Sequence, residues 1–397
     1  VEQNVNSDLC LVSYFAWPVL SGNPVQGVSP GGEEVQHALL ARAFAGRGTR
    51  TTLITGDFGQ PDDLQIDAVR VLKSFPANAG LPVLRLLTPR LTSLWRALKK
   101  ADAATYYVSC AGSVVGYVAA FCAMHKRRFV FRVASDADCC PDRLLVSNAR
   151  DRWLYEWGIR RASSILVQTR HQQQLLLANY GLNAEIADML VDIPERPTSQ
   201  ASRDIDVLWL ANLRSVKRPD WVIDLARRLP MRRFVMAGGP YANQAELFDT
   251  IKREAAATPN LEFLGGIPYR ETATLFSRAK LFLNTSELEG FPNTYLQAWA
   301  NATPVIATFD PDGLIAKRAL GRACNTLSEL AGEIENLLAD PPSRTHTGLQ
   351  AHAWVKTHHG APAVANYARC LLPGQEPKSE TCPAEPDTTR PLTGEIS

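Results

Sequence analysis

The sequence predicts an α/β protein built from two Rossmann-like domains that face each other across a cleft. Three observations predict it. Short apolar runs alternate with longer helical segments through most of the chain. A polar, proline-interrupted stretch lies near the middle, and the same alternation restarts after it. Finally, 397 residues exceed one ordinary core and suit two domains of somewhat under about 200 residues each.

The first half opens with the strand-like run Leu9-Cys-Leu-Val-Ser-Tyr-Phe. A glycine-rich loop, Ser29-Pro-Gly-Gly-Glu, leads into a helix with Val35, Leu39 and Ala43 on one face. Gly46 and Gly48 end that helix, and 51–55 is the next strand, which completes a βαβ unit. Further strands are expected at 105–109, 129–133 and 164–168, so that residues 1–193 form one parallel-sheet domain. The stretch 194–203 carries two prolines and reads as a linker. The second domain, 204–352, begins with a strand at 206–210. Pro219 suits the first turn of the following helix, 220–229. Strands at 233–237, 261–264, 281–284 and 304–307 continue its sheet. A last helix, 353–372, can return to the N-terminal domain, and 373–397 is a Pro-, Glu- and Thr-rich tail expected to be disordered.

Composition excludes several classes. The net charge of +2 gives no reason to expect a nucleic-acid partner. No apolar run is long enough to span a bilayer. The start, Val1-Glu-Gln-Asn-Val, shows neither a charged n-region nor an apolar h-region, so no signal peptide is expected. The eight cysteines lie at 10, 110, 122, 139, 140, 324, 370 and 382, without a Cys-x-x-Cys pair. Scattered thiols of this kind suit a reducing compartment, and a cytoplasmic protein is expected.

The most informative segment is Ser286-Glu-Leu-Glu-Gly-Phe-Pro-Asn-Thr-Tyr-Leu-Gln-Ala-Trp-Ala. A strand ends in an acidic, glycine-containing turn, and a helix opens at Asn293 or Thr294. Free backbone N–H groups at such a helix start make an anion site. Glu289 before it and Gln297 inside it add groups that bind hydroxyls. An anion flanked by hydroxyls describes a nucleotide sugar.

These residues resemble the signature of the retaining GT-B glycosyltransferases of family 4, in which Glu-Gly-Phe and Pro or Gly are followed by a second Glu eight residues after the first. Glu289, Gly290, Phe291 and Pro292 match, and Gln297 replaces the second Glu. The resemblance implies that Glu289 receives the donor sugar hydroxyls. It also implies that backbone N–H groups around Phe291, Asn293, Thr294 and Tyr295 hold the diphosphate, and that position 297 takes the ribose diol. An amide lacks the charge of a carboxylate, which weakens that last contact by about 1 kcal/mol. In Leu210-Ala-Asn-Leu-Arg-Ser-Val-Lys, Lys217 matches the family's diphosphate lysine. Asn212 stands where an arginine is expected, and Arg214 follows two residues later. Gly31 and Gly32 match the loop that closes over the phosphates from the first domain. Gly265, Gly266 and Ile267 resemble the loop whose backbone reads the base.

Two features point elsewhere. Asp136 and Asp138 form an Asp-x-Asp that a metal-dependent GT-A transferase would use, but such an enzyme leaves the second nucleotide domain unexplained. An acceptor-side or proton-handling role is the remaining use for them. A basic, aromatic helix carries Arg152, Trp153, Trp157, Arg160 and Arg161; such a helix can dock on an anionic membrane surface, while more often its charges simply solvate a helix face. The expected activity is transfer of a sugar from a nucleotide diphosphate sugar to a hydroxyl of a glycan or lipid-linked acceptor, in envelope or exopolysaccharide synthesis, with neither cofactor nor metal. The alternatives are a catalytically silent sugar-binding subunit and a nucleotide-sugar 2-epimerase.

Overall fold

Strands whose side chains are buried on both faces need helices above and below the sheet, and that arrangement follows from the continuous apolar runs. The computed structural model describes residues 5–25, 28–76, 90–241 and 244–374. The N-terminal sheet holds β1 (Ser7–Val12), β2 (Thr51–Thr55), β3 (Asp63–Ile66), β4 (Val69–Lys73), β5 (Ala103–Ser109), β6 (Arg128–Arg132), β7 (Ser164–Val167) and β8 (Glu185–Ile186). Its helices are α1 (Trp17–Ser21), α2 (Gly32–Ala45), α3 (Thr92–Ala101), α4 (Ser113–His125), α5 (Ala149–Ile159) and α6 (Arg170–Tyr180). The spatial order is β3-β4-β2-β1-β5-β6-β7-β8, parallel except for β3 against β4. That antiparallel edge departs from the expected all-parallel sheet. Its two-residue turn is Asp67-Ala68, both residues at positive φ. No Gly or Asn marks the turn, so the usual hairpin signal is missing.

The second sheet contains β9 (Ile205–Leu210), β10 (Phe234–Ala237), β11 (Leu261–Phe263), β12 (Ala279–Asn284), β13 (Val305–Ala307) and β14 (Gly321–Ala323), in the order β11-β10-β9-β12-β13-β14 and entirely parallel. Its helices are α7 (Pro219–Arg228), α8 (Ala245–Ala256), α9 (Tyr269–Arg278), α10 (Asn293–Ala300), α11 (Leu314–Arg318) and α12 (Leu327–Ala339). In both sheets the strand order reverses next to the first strand, between β1 and β5 and between β9 and β12. Loops leaving the carboxyl ends of those strands diverge and leave a crevice where ligands bind in such folds.

The linker is polar in sequence, yet its far end is anchored. The buried Arg203 guanidinium donates to the carbonyls of Ala279, Thr198 and Asn301 and to the Thr303 hydroxyl, at 2.6 to 2.8 Å. The chain then crosses back. After α13 (Pro341–His358) on the C-terminal domain, α14 (Ala361–Leu371) buries Ala363, Val364, Tyr367 and Leu371 in the N-terminal core with Leu9, Leu40 and Val130. Arg128 on β6 donates to the Cys370 carbonyl at 3.2 Å. The residues from 375 to the end, which hold most of the tail and Cys382, lie outside the described residues. The other seven cysteines are free thiols.

Candidate active site

Lys217 leaves the end of β9 and Glu289 the end of β12, the two strands that flank the reversal point of the second sheet. Their side chains meet there: Lys217 Nζ donates to the Glu289 carboxylate, and both groups are largely buried. Hydrogen bonds hold the two loops together. Thr285 Oγ1 donates to the Lys217 carbonyl at 2.6 Å and accepts from Trp209 Nε1 at 3.0 Å. The Glu287 N–H donates to the Val216 carbonyl at 2.9 Å. Arg218, unmarked in the sequence reading, braces the loop from outside through Asp220 and Glu287 at 2.7 and 3.0 Å.

Directly after Glu289 comes the N-terminus of α10, capped by Pro292, which has no N–H. The Tyr295 N–H returns to the Pro292 carbonyl at 3.1 Å. Helix geometry leaves the N–H groups of Asn293 and Thr294 without intrahelical acceptors, the arrangement that suits an anion at a helix start. The Phe291 N–H, expected to share that duty, donates instead to Gln168 Oε1 of the N-terminal domain at 2.7 Å. Gly290 explains the close approach: a Cβ there would lie 2.5 Å from the Ala134 carbonyl oxygen and from Gln168 Oε1.

The glycine-rich loop of the first domain faces this helix. Asn212 Nδ2 donates to the Ser29 and Pro30 carbonyls at 3.2 Å, so the residue standing where an arginine was expected ties the domains together. Gln36 Nε2 donates to Asn293 Oδ1 at 2.6 Å and to the Leu190 carbonyl at 2.7 Å. A side chain on Gly32 would run into the Asn293 amide. Gly31 donates its N–H to Glu34 Oε2 at 2.7 Å. The Gly265 carbonyl accepts from the Gly238 N–H at 2.8 Å, Gly266 packs on Gly239, and Ile267 packs on the apolar layer beneath α10. Gln297 is buried beside the Tyr269 phenol and opposes the rise that burial imposes on the phenol's pKa. Arg214 lies over the Tyr241 ring, 4.7 Å from its centroid, rather than in the Lys217–Glu289 pair.

The two aspartates separate. Asp138 turns back on its own chain and accepts from the Ala134 and Ser135 N–H groups at 2.8 and 3.2 Å. Burial lifts it to about 6 even so. Asp136 faces the cleft, accepts from Gln172 Nε2 at 3.1 Å, and stands 3.8 Å from His171 Nε2. Burial raises its pKa, the Gln172 hydrogen bond and His171 oppose that, and Asp312 and Glu289 add to it. No group of ligand-type side chains able to hold a metal occurs among the described residues.

Further participants escaped the sequence reading. Asp312 accepts from the Arg170 and His171 N–H groups at 2.7 and 3.1 Å, capping α6 from the opposite domain. Gln168 reaches the Phe291 N–H, as above. His37 sits buried one turn after Glu33, with Nδ1 2.8 Å from Glu33 Oε1. A Glu-x-x-x-His spacing on α2 was the available signal for that pair.

Two family descriptions match the chain, "Glycosyl transferases group 1" over residues 194–354 and "Glycosyl transferase 4-like domain" over 31–190. The alpha-monoglucosyldiacylglycerol synthase of Streptococcus pneumoniae is 36% identical over 125 residues, 29% of this chain and 26% of that one. The D-inositol 3-phosphate glycosyltransferase of Mycobacterium tuberculosis is 26% identical over 241 residues, 54% of this chain and 50% of that one. The matched stretches thus span about a quarter to a half of those relatives. Among solved structures, sucrose-phosphate synthase from Thermosynechococcus elongatus superposes with TM-score 0.69 at 16% identity, covering 92% of this chain and 98% of that one. Anabaena HepE, solved with UDP and glucose, superposes with TM-score 0.70 at 15% identity, covering 93% and 100%. With its two reversal-point sheets and both halves matched, the chain belongs to the group 1 glycosyl transferases of GT-B fold.

Proposed function

We propose that this protein transfers a glycosyl unit, with retention of anomeric configuration, from a nucleotide diphosphate sugar to a hydroxyl of a glycan or lipid-linked acceptor. The observation that carries the reading is the Lys217–Glu289 pair at the reversal point, beside the start of α10. A diphosphate arriving there finds one fixed cation and the N–H groups of Asn293 and Thr294, while Glu289 is left to accept sugar hydroxyls. As the bond from the sugar's anomeric carbon to the phosphate oxygen breaks, negative charge grows on the leaving diphosphate, and groups already aimed at it lower the barrier. The acceptor oxygen bonds to the same face of that carbon, and its proton passes to the departing phosphate oxygen. No carboxylate nucleophile, cofactor or metal is needed in that scheme.

The acceptor belongs, in this reading, to envelope or exopolysaccharide synthesis at the cytoplasmic membrane surface. Support comes from α5, where Trp153 is 59% exposed and stacks on Trp157, and Arg161 lies 3.9 Å from the Trp157 ring centroid. No helix among the described residues is long and apolar enough to cross a membrane. A silent binding subunit is the second reading, favoured by the use of Asn212 and the Phe291 N–H for domain contacts. Donor hydrolysis without acceptor separates the two. The primary test is thermal shift with UDP, GDP, ADP, CMP and dTDP on wild type and Lys217→Ala. A rise with one diphosphate that disappears in the variant supports the donor site, because only ligand bound to the folded state raises Tm. No rise with any of them overturns it.

A further inference from the structure

Gln168 is the first residue after β7 and precedes Thr169, the N-cap of α6. Its backbone is fixed. The Gln168 N–H donates to Oε1 of the buried Gln172 at 2.9 Å, and Gln172 Nε2 donates onward to Asp136 at 3.1 Å. Its side chain lies outside that frame and crosses the domain seam, where Oε1 accepts from the Phe291 N–H at 2.7 Å. Phe291 stands two residues beyond Glu289 and just before Pro292, the cap of α10. Glycine at 290 permits the approach: a Cβ there would lie 2.5 Å from Gln168 Oε1 and 3.0 Å from Gln172 Nε2.

Two donors beside the start of α10 thus have acceptors supplied by the protein itself. Lys217 Nζ has the Glu289 carboxylate, and the Phe291 N–H has the Gln168 amide. A desolvated donor without an acceptor costs stability, so each needs one whenever no outside anion provides it. The two acceptors differ in strength. Glu289 is charged, whereas Gln168 offers a neutral amide oxygen. A phosphate oxygen makes a charge-assisted hydrogen bond roughly twice as strong as a neutral one, enough to displace an amide. Displacement needs only rotation of one side chain, because Gln172 retains the backbone.

We propose that Gln168 is a placeholder in the donor site: its amide oxygen holds the Phe291 N–H until a diphosphate oxygen takes it. This rests on the transferase reading and deepens it, because a residue of the N-terminal domain becomes a determinant of donor affinity. Competition within the chain lowers the apparent affinity for the nucleotide in proportion to how fully the N–H is held. Donor arrival breaks this one bond across the seam, while the Asp312 carboxylate keeps its hold on the Arg170 and His171 N–H groups. Read as permanent, the Gln168–Phe291 contact favours a silent subunit; as a placeholder's contact it is reversible and compatible with turnover.

The test is calorimetric titration of the full chain with UDP, GDP, ADP and dTDP, on wild type, Gln168→Met, Gln168→Glu and Asp312→Ala. The nucleotide that wild type binds should bind Gln168→Met about threefold to tenfold more tightly, the worth of one neutral hydrogen bond no longer in competition. Gln168→Glu should weaken it about threefold or more, since a charged acceptor holds the N–H and repels the diphosphate. Asp312→Ala removes a different seam contact and should leave the affinity within about twofold of wild type. The unliganded Tm of Gln168→Met should fall, because the Phe291 N–H loses its acceptor. That fall with affinity unchanged or weaker overturns the placeholder and leaves a plain seam contact. Equal tightening in Asp312→Ala also overturns it, by assigning the gain to a looser seam. Either failure leaves wild-type nucleotide binding, and with it the donor reading, intact. Absence of binding by all four nucleotides to wild type and to Gln168→Met overturns both.

Discussion

Lys217 and Glu289 are 72 residues apart in the chain and in contact in space, because their strands are neighbours in the sheet. On the proposed function, removing the lysine leaves a part-buried carboxylate facing an incoming diphosphate. Lys217→Ala should therefore lower kcat/KM by about 10²–10³, the cost of losing one preorganised charge at a leaving group, read from initial rates at limiting donor. Gln297 offers the opposite change. Its amide lies beside the Tyr269 phenol, a group able to donate to a carboxylate. Gln297→Glu should tighten the cognate nucleoside diphosphate by about 1 kcal/mol. The gain should vanish with the ribose-deoxygenated analogue, as titration calorimetry of both ligands would show. Residue type and spacing single out Lys217, Glu289 and Gln297 in the sequence, and the fold brings the first two into contact. Asp138 and Arg214 were less readable, because a carboxylate folding onto its own backbone and a guanidinium lying on Tyr241 depend on backbone path and long-range packing.

At the scale of elements, α6 shows how a helix end can belong to two domains. Thr169 caps it from within, accepting from the Gln172 N–H at 3.1 Å. Asp312 supplies the remaining acceptors from the other sheet while sitting at φ +53°. Asp312→Ala should cost about 1 kcal/mol of stability. It should also speed hydrogen exchange at the Arg170 and His171 amides, leaving those of β7 unchanged. The βαβ alternation was legible because parallel strands and amphipathic helices have distinct periods. The β3–β4 hairpin was not, since its turn lacks glycine, and the three-residue β14 is too short to carry a period.

For the whole molecule, closure of the cleft is set by backbone approaches that tolerate no side chain. Gly32→Ala should hold the domains apart through Asn293. Small-angle scattering should show a larger radius of gyration, and kcat/KM should fall about tenfold to a hundredfold by lost alignment. Stability should also depend on pH through Glu34 at the same seam. Burial, helped by neighbouring Glu33, lifts its carboxyl to about 8 from an ordinary 4.5. Between those values the folded chain binds a proton that the unfolded chain has released, so Glu34's contribution to stability falls as pH rises towards 8 and is level above. Urea midpoints at pH 6.5 and 8.5 should decline in wild type and flatten in Glu34→Gln, which keeps the acceptor for Gly31. Two-domain architecture was readable from length and the linker, whereas the seam itself depends on pairs such as Asn212–Ser29 that no local pattern encodes.

The return of α14 to the first domain separates the order of residues in the chain from the order of parts in space. A break in the linker would release an N-terminal piece whose sheet lacks the cover supplied by Ala363, Val364, Tyr367 and Leu371. The complementary piece would trail an apolar helix with nothing to lie on. Neither fragment is an autonomous unit, and each presents a sticky face to its neighbours. Dissecting this protein into halves therefore calls for grafting the terminal helix onto the first half, a rearranged polypeptide rather than a truncated one.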